Sequence, residues 1–149
     1  MHDLLGSKAI LAPVIALVAW TLVMLIWMMS VRVPALGRAG IKLKGAIGGR
    51  PGILDGVLED SAQWKAHNYL HLVEQPTLFY AVAISLALLG HGGGVPLILA
   101  WLYVALRIAH SLVQATVNVI VIRLALFVAS SLCLLGMTVE SAVIVARAY

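Results

Sequence analysis

The chain has 149 residues, of which 62% are hydrophobic and 11% charged, and its mean hydropathy is +1.04. Soluble domains are about half apolar and a quarter charged, so this balance excludes an ordinary soluble domain and points to an integral membrane protein. A net charge of +4 would suit a nucleic-acid partner only if it were spread over a surface, and here the basic residues gather in one interhelical stretch, as membrane topology produces.

The first apolar segment is 9–31, 23 uncharged residues between Lys8 and Arg32. It is long for a signal-peptide core and sufficient to span a bilayer, so it reads as a retained first helix. Pro13 falls in its first turns, where a missing N–H costs little. "RVPALGRAGIKLKGAIGGRPGILDGVLED" follows, rich in glycine and basic residues with no long apolar run, and reads as a loop over 32–61. A second helix is expected over 62–89, ended by "GHGGGVP". A third begins at Pro96, a residue tolerated at helix starts. From Leu97 to Val145 there are 49 residues in which no Gly or Pro visibly separates a third segment from a fourth. One helix of that length would measure about 73 Å, more than twice the hydrocarbon thickness, so the chain must reverse. The reversal is expected at 116–122, around Asn118, giving helices over 96–116 and 122–146. The lone Cys133 permits no internal disulfide.

Arg32, Arg38, Lys42, Lys44, Arg50 and Lys65 lie between the first two apolar segments. The positive-inside rule therefore places the 32–61 loop in the cytoplasm. Polar residues then converge on that side. In "WKAHNYLHLVEQPTLFY", His67, His71 and Glu74 recur at i, i+4, i+7 and share one side of the second helix, with Asn68 one residue away. In "LRIAHSLVQATVN", Arg107, His110, Ser111, Gln114 and Asn118 share one face of the third. Arg123 stands at the cytoplasmic start of the fourth. Ionisable groups at this depth face a bundle interior or a water-filled cavity and mark functional sites. Glu74 and Arg107 lie roughly 15 Å along their antiparallel helices from the membrane boundary, so they can meet as an ion pair near the midplane. Such a pair alone reads as structural. The aligned His110, Asn118 and Arg123 make a binding cavity the better reading of the whole.

Two further patterns carry little. His67, His71 and Glu74 have helical metal-ligand spacing but lack H-E-x-x-H, so no metal is expected. "HGGG" at 91–94 resembles an oxyanion-hole loop, yet G-x-S-x-G occurs nowhere in the chain, so it reads as a turn.

"NYLHLVEQPTLFY" and "RIAHSLVQATVNVIVIR" together resemble the MAPEG family, the membrane-associated proteins of eicosanoid and glutathione metabolism, in particular its bacterial members. The first block is similar to the family's N-x-x-E followed by proline and aromatics. The second is similar to its R-x-x-H leading to a helix-four arginine. The resemblance covers nearly the whole chain. It implies an all-α, four-helix transmembrane bundle in the bacterial inner membrane, assembled as a homotrimer with glutathione bound between subunits. It implies a transferase or peroxidase acting on hydrophobic electrophiles or lipid hydroperoxides. Arg123 would stabilise the glutathione thiolate, Glu74 would hold the ammonium, and Arg107 and His110 match the family's helix-three pair. His71, Gln114, Asn118, Asn68 and His67 complete the candidate ligand-binding set. The chain departs from the family at several positions. Leu70 replaces an arginine carried by eicosanoid-making members, His71 the family asparagine, Gln114 a tyrosine, and Leu124 and Phe127 a serine and a tyrosine. These departures support a second reading, a non-catalytic member of the same fold that binds a lipid or a protein partner.

Overall fold

The computed structural model describes residues 8–42, 44–45, 47, 49, 52–54 and 56–148. Five helices account for most of them: α1 (Leu11–Arg38), α2 (Asp60–Glu74), α3 (Pro76–Leu88), α4 (Gly94–Thr116) and α5 (Ile120–Ala148). The described residues contain no strand. Taking α2 and α3 as one interrupted span, four helical segments among the described residues are long and apolar enough to cross a membrane. The fold is thus an all-α bundle of four membrane-spanning segments. Lipid imposes this form, because every backbone N–H and C=O within the hydrocarbon must be satisfied inside its own segment.

Hydropathy and helix geometry disagree at α1. The sequence ends the first helix at Val31, where charge begins, but α1 continues through Arg32 and Pro34 to Arg38. Its 28 residues make a rod of about 42 Å, longer than the hydrocarbon core is thick. Its last turns carry Arg32 and Arg38 beyond the apolar run that ends at Val31. Termination comes from Gly40, which adopts φ +71 and lets Ile41 N–H reach back to the Leu36 carbonyl at 3.0 Å, a left-handed cap that favours glycine. Gly90 ends α3 in the same way, at φ +78, with His91 N–H on the Leu86 carbonyl at 2.9 Å.

The second span is broken, where the sequence suggests one continuous helix. Pro76 lacks an N–H and its ring crowds the carbonyl four residues back. α2 accordingly ends at Glu74 and Pro76 opens α3. Between α4 and α5 the chain reverses over 117–119. Asn118 stands there at φ +52, a conformation tolerated best by glycine and asparagine, and its N–H bonds the Val113 carbonyl at 2.7 Å.

α4 and α5 pack along each other, and α2 lies between α1 and α4. The apolar core joins Leu17 and Met24 of α1, Phe79 of α3, Tyr103 and Val104 of α4 and Met137 of α5. Phe79 and Tyr103 stack with ring centroids 4.5 Å apart. Lys65 belongs to α2, within the expected second helix, and is buried. Its Nζ donates to the Ser61 carbonyl at 3.0 Å and to the Ala115 carbonyl at 3.3 Å, and it sits 5.1 Å from the Trp27 ring. Its ammonium so satisfies an otherwise unpaired carbonyl of the last turn of α4, the negative end of that helix. Arg50 lies outside the described residues.

Candidate functional site

At the end of the bundle where α4 turns into α5, a pocket of about 350 Å³ opens between α2, α4 and α5. Six side chains line it: His71, His110, Arg123, Ile120, Leu124 and Phe127. Each comes from a definite place in the fold. The α4 stripe of Arg107, His110, Ser111 and Gln114 is buried in full, so the helical spacing read from the sequence does aim these groups inward. His110 faces the pocket from that stripe and His71 meets it from α2, with imidazole centroids 5.0 Å apart. The Phe127 and His71 rings meet in a T-shaped contact with centroids 5.5 Å apart. Arg123, early in α5, is tethered at its guanidinium: Nη1 donates to Asn118 Oδ1 at 2.7 Å. Asn118 therefore serves twice, through a backbone conformation that makes the reversal and a side chain that aims Arg123.

Arg107 lies behind this lining and is 0% exposed. The ion pair with Glu74 suggested by the sequence is not formed. Instead Nη2 donates to the His71 carbonyl at 2.6 Å and Nη1 to Gln75 Oε1 at 3.1 Å. Gln75 Nε2 in turn donates to Ser131 Oγ at 2.7 Å. These bonds gather at the break before Pro76, where a regular helix ladder is interrupted. One guanidinium thus locks α2 to α4, and through Gln75 and Ser131 to α5. Gln75 and Ser131 escaped the sequence reading as site residues. The available signal was a glutamine placed directly before a mid-span proline.

The remaining candidates divide. Asn68 is fully buried, with Nδ2 donating to Ser111 Oγ at 2.9 Å. Gln114 is buried beside that layer, and neither Asn68 nor Gln114 lines the pocket. His67 and Glu74 are exposed on the outward side of α2. The three-residue stripe His67, His71, Glu74 therefore straddles the edge of the bundle: His71 turns in and the other two face out. Among the described residues, no three His, Cys, Asp or Glu side chains come together as a metal set.

The MAPEG family model matches residues 10–143. The chain belongs to the MAPEG family. No curated protein and no solved structure matches it. As a MAPEG protein it is an integral membrane protein of the family associated with glutathione and eicosanoid metabolism, and its four spans imply contact with the lipid bilayer. Within this MAPEG chain the two imidazoles and one guanidinium share the pocket with three apolar side chains. Such a lining suits a ligand with an anionic or polar head and an apolar neighbour.

Proposed function

We propose that the protein is a membrane-embedded glutathione-dependent transferase or peroxidase that acts on hydrophobic electrophiles or lipid hydroperoxides. The observation that carries this reading is the pairing of Arg123 with His71 and His110 in one pocket whose other walls are Ile120, Leu124 and Phe127. Glutathione brings a thiol, two carboxylates and an ammonium. A guanidinium beside the thiol favours the thiolate, which is the nucleophile. Arg123 has that role, and Asn118 holds it there. Arg107 is a positioning residue: its Nη groups are committed to His71 and Gln75. The apolar walls receive the electrophile.

Glu74 and His67 fit this scheme through assembly. Both face outward from a membrane span, where lipid contact is costly for polar groups. In a homotrimer a neighbouring subunit covers this side, and Glu74 then meets the glutathione ammonium at the subunit boundary. The loop after α1 lies in the cytoplasm on the strength of its basic residues.

The test is calorimetric titration of the detergent-purified protein with glutathione while thiolate absorbance is followed, beside Arg123→Ala. Saturable binding with a thiolate signal that the variant loses supports the reading. Absence of binding at millimolar glutathione overturns it. The second reading, a non-catalytic member that binds lipid, has its own support in Leu124 and Phe127, which bring no hydrogen-bonding atom to the pocket. A lipid retained there through purification, with no thiol chemistry, would decide for it.

A further inference from the structure

The pocket is poor in donors. Of its six lining side chains, only Arg123, His71 and His110 carry hydrogen-bonding atoms. An anion bound there draws its side-chain hydrogen bonds from these three.

The contacts of His71 fix what it can offer. Its Nδ1 lies 3.4 Å from Arg107 Nη2. The same Nη2 donates its other hydrogen to the His71 carbonyl at 2.6 Å. A guanidinium has five donors, no acceptor, and stays protonated in proteins. Towards Arg107, Nδ1 can therefore only accept. An imidazole whose Nδ1 accepts is neutral and carries its proton on Nε2. Nε2 is the ring nitrogen left to meet a pocket ligand, and it arrives as a donor. Arg107 cannot swing away cheaply, because its second arm is fastened through Gln75 to Ser131.

We propose that His71, held by Arg107 as the Nε2–H tautomer, donates a hydrogen bond to the anionic sulfur of the bound thiol beside Arg123. This rests on the glutathione reading above and adds to it a specific thiolate-binding role for His71. The thiol proton leaves to the buffer; no bond to sulfur forms or breaks other than S–H. His71 so supplies a donor that Leu124 and Phe127 lack.

Substitution separates the two ends of the ring. An asparagine at 71 keeps an acceptor near the Nδ1 position for Arg107 and offers nothing at Nε2. A glutamine places an amide N–H near Nε2 and loses the acceptor for Arg107. The full chain, its His71→Asn and His71→Gln variants are each titrated with glutathione, with thiolate absorbance read against pH. They are titrated in parallel with S-methylglutathione, which has no thiol. The expected result is saturable glutathione binding by the wild type. The thiolate-to-thiol ratio, read from the titration against pH, should fall roughly tenfold in His71→Asn, the size of one lost hydrogen bond to a charged group. It should be largely retained in His71→Gln, with S-methylglutathione affinity unchanged in His71→Asn. Equal thiolate fractions in wild type and His71→Asn overturn the proposal and leave the glutathione site standing. Loss of S-methylglutathione binding in His71→Asn also overturns it, because the role is then that of a structural support. No glutathione binding by the wild type overturns this proposal and the glutathione reading together.

Discussion

Asn118 shows how much one residue carries. Its backbone is left-handed at φ +52 and its side chain holds Arg123 at 2.7 Å, so two substitutions pull these duties apart. Asn118→Ala leaves a Cβ in the left-handed region without the polar side chain that makes asparagine tolerated there, at a cost of about 1 kcal/mol, and removes the tether. Asn118→Gly relieves the backbone and still removes the tether. Thermal unfolding in detergent should show a lower midpoint for the alanine variant than for the glycine one, while both lose thiolate signal with glutathione. An equal thiolate signal in the glycine variant and the wild type would mean that Arg123 needs no support. Arg107 is the other residue with an outsized share. Arg107→Met leaves the part-buried His71 carbonyl and Gln75 Oε1 without their charged donor, and should cost about 3 kcal/mol. Arg107→Lys should recover only part of this, because one ammonium does not reproduce a two-armed guanidinium. Chemical denaturation of the three proteins in one detergent reads the order directly.

At the level of elements, the spans were legible because lipid makes the code simple: long apolar runs and helical spacing of the polar exceptions. The α4 stripe of Arg107, His110, Ser111 and Gln114 followed from that spacing alone. What hydropathy misses is backbone geometry. It stops α1 at the first arginine, although an arginine continues a helix well and only Gly40 ends it. It runs α2 into α3, although Pro76 divides them. The Glu74–Arg107 pair failed for a related reason. Spacing gives a shared side of a helix, while the rotation of that side relative to the bundle is set by packing, which turns His71 in and leaves Glu74 out. A packing constraint of this kind sits at Gly136 of α5, where an added Cβ would lie 3.1 Å from Leu99 Cδ1 of α4. Gly136→Val should therefore force these helices apart at a cost of about 1–3 kcal/mol, seen as a lower unfolding midpoint. Leu99→Ala in that background should restore part of the loss, a coupling expected only of residues in contact. Strict additivity of the two substitutions would show that the bundle adjusts elsewhere.

For the molecule as a whole, the outward side of α2 is where chemistry and surroundings conflict. His67 and Glu74 stand exposed among apolar neighbours, with Leu70 49% exposed between them. A carboxylate is tolerated within a span only when it faces protein or water. Two arrangements resolve the conflict, and they respond oppositely to one substitution. If a second copy of the chain covers this side, as the proposed homotrimer requires, Glu74 is part of an interface, and Glu74→Leu should weaken assembly. Native mass spectrometry from mild detergent should then show three copies for the wild type and a shift towards smaller species for the variant. If the side instead meets lipid headgroups or water at a thinned bilayer, leucine relieves a cost, so the variant should be at least as stable and its mass unchanged. His67→Leu gives a second reading on the same side. It lies two turns from Glu74, away from the break at Pro76, and should weaken assembly in the same direction. A wild-type protein that runs as a single copy would leave the pocket of His71, His110 and Arg123 complete within one chain and remove the neighbouring subunit from the proposed site.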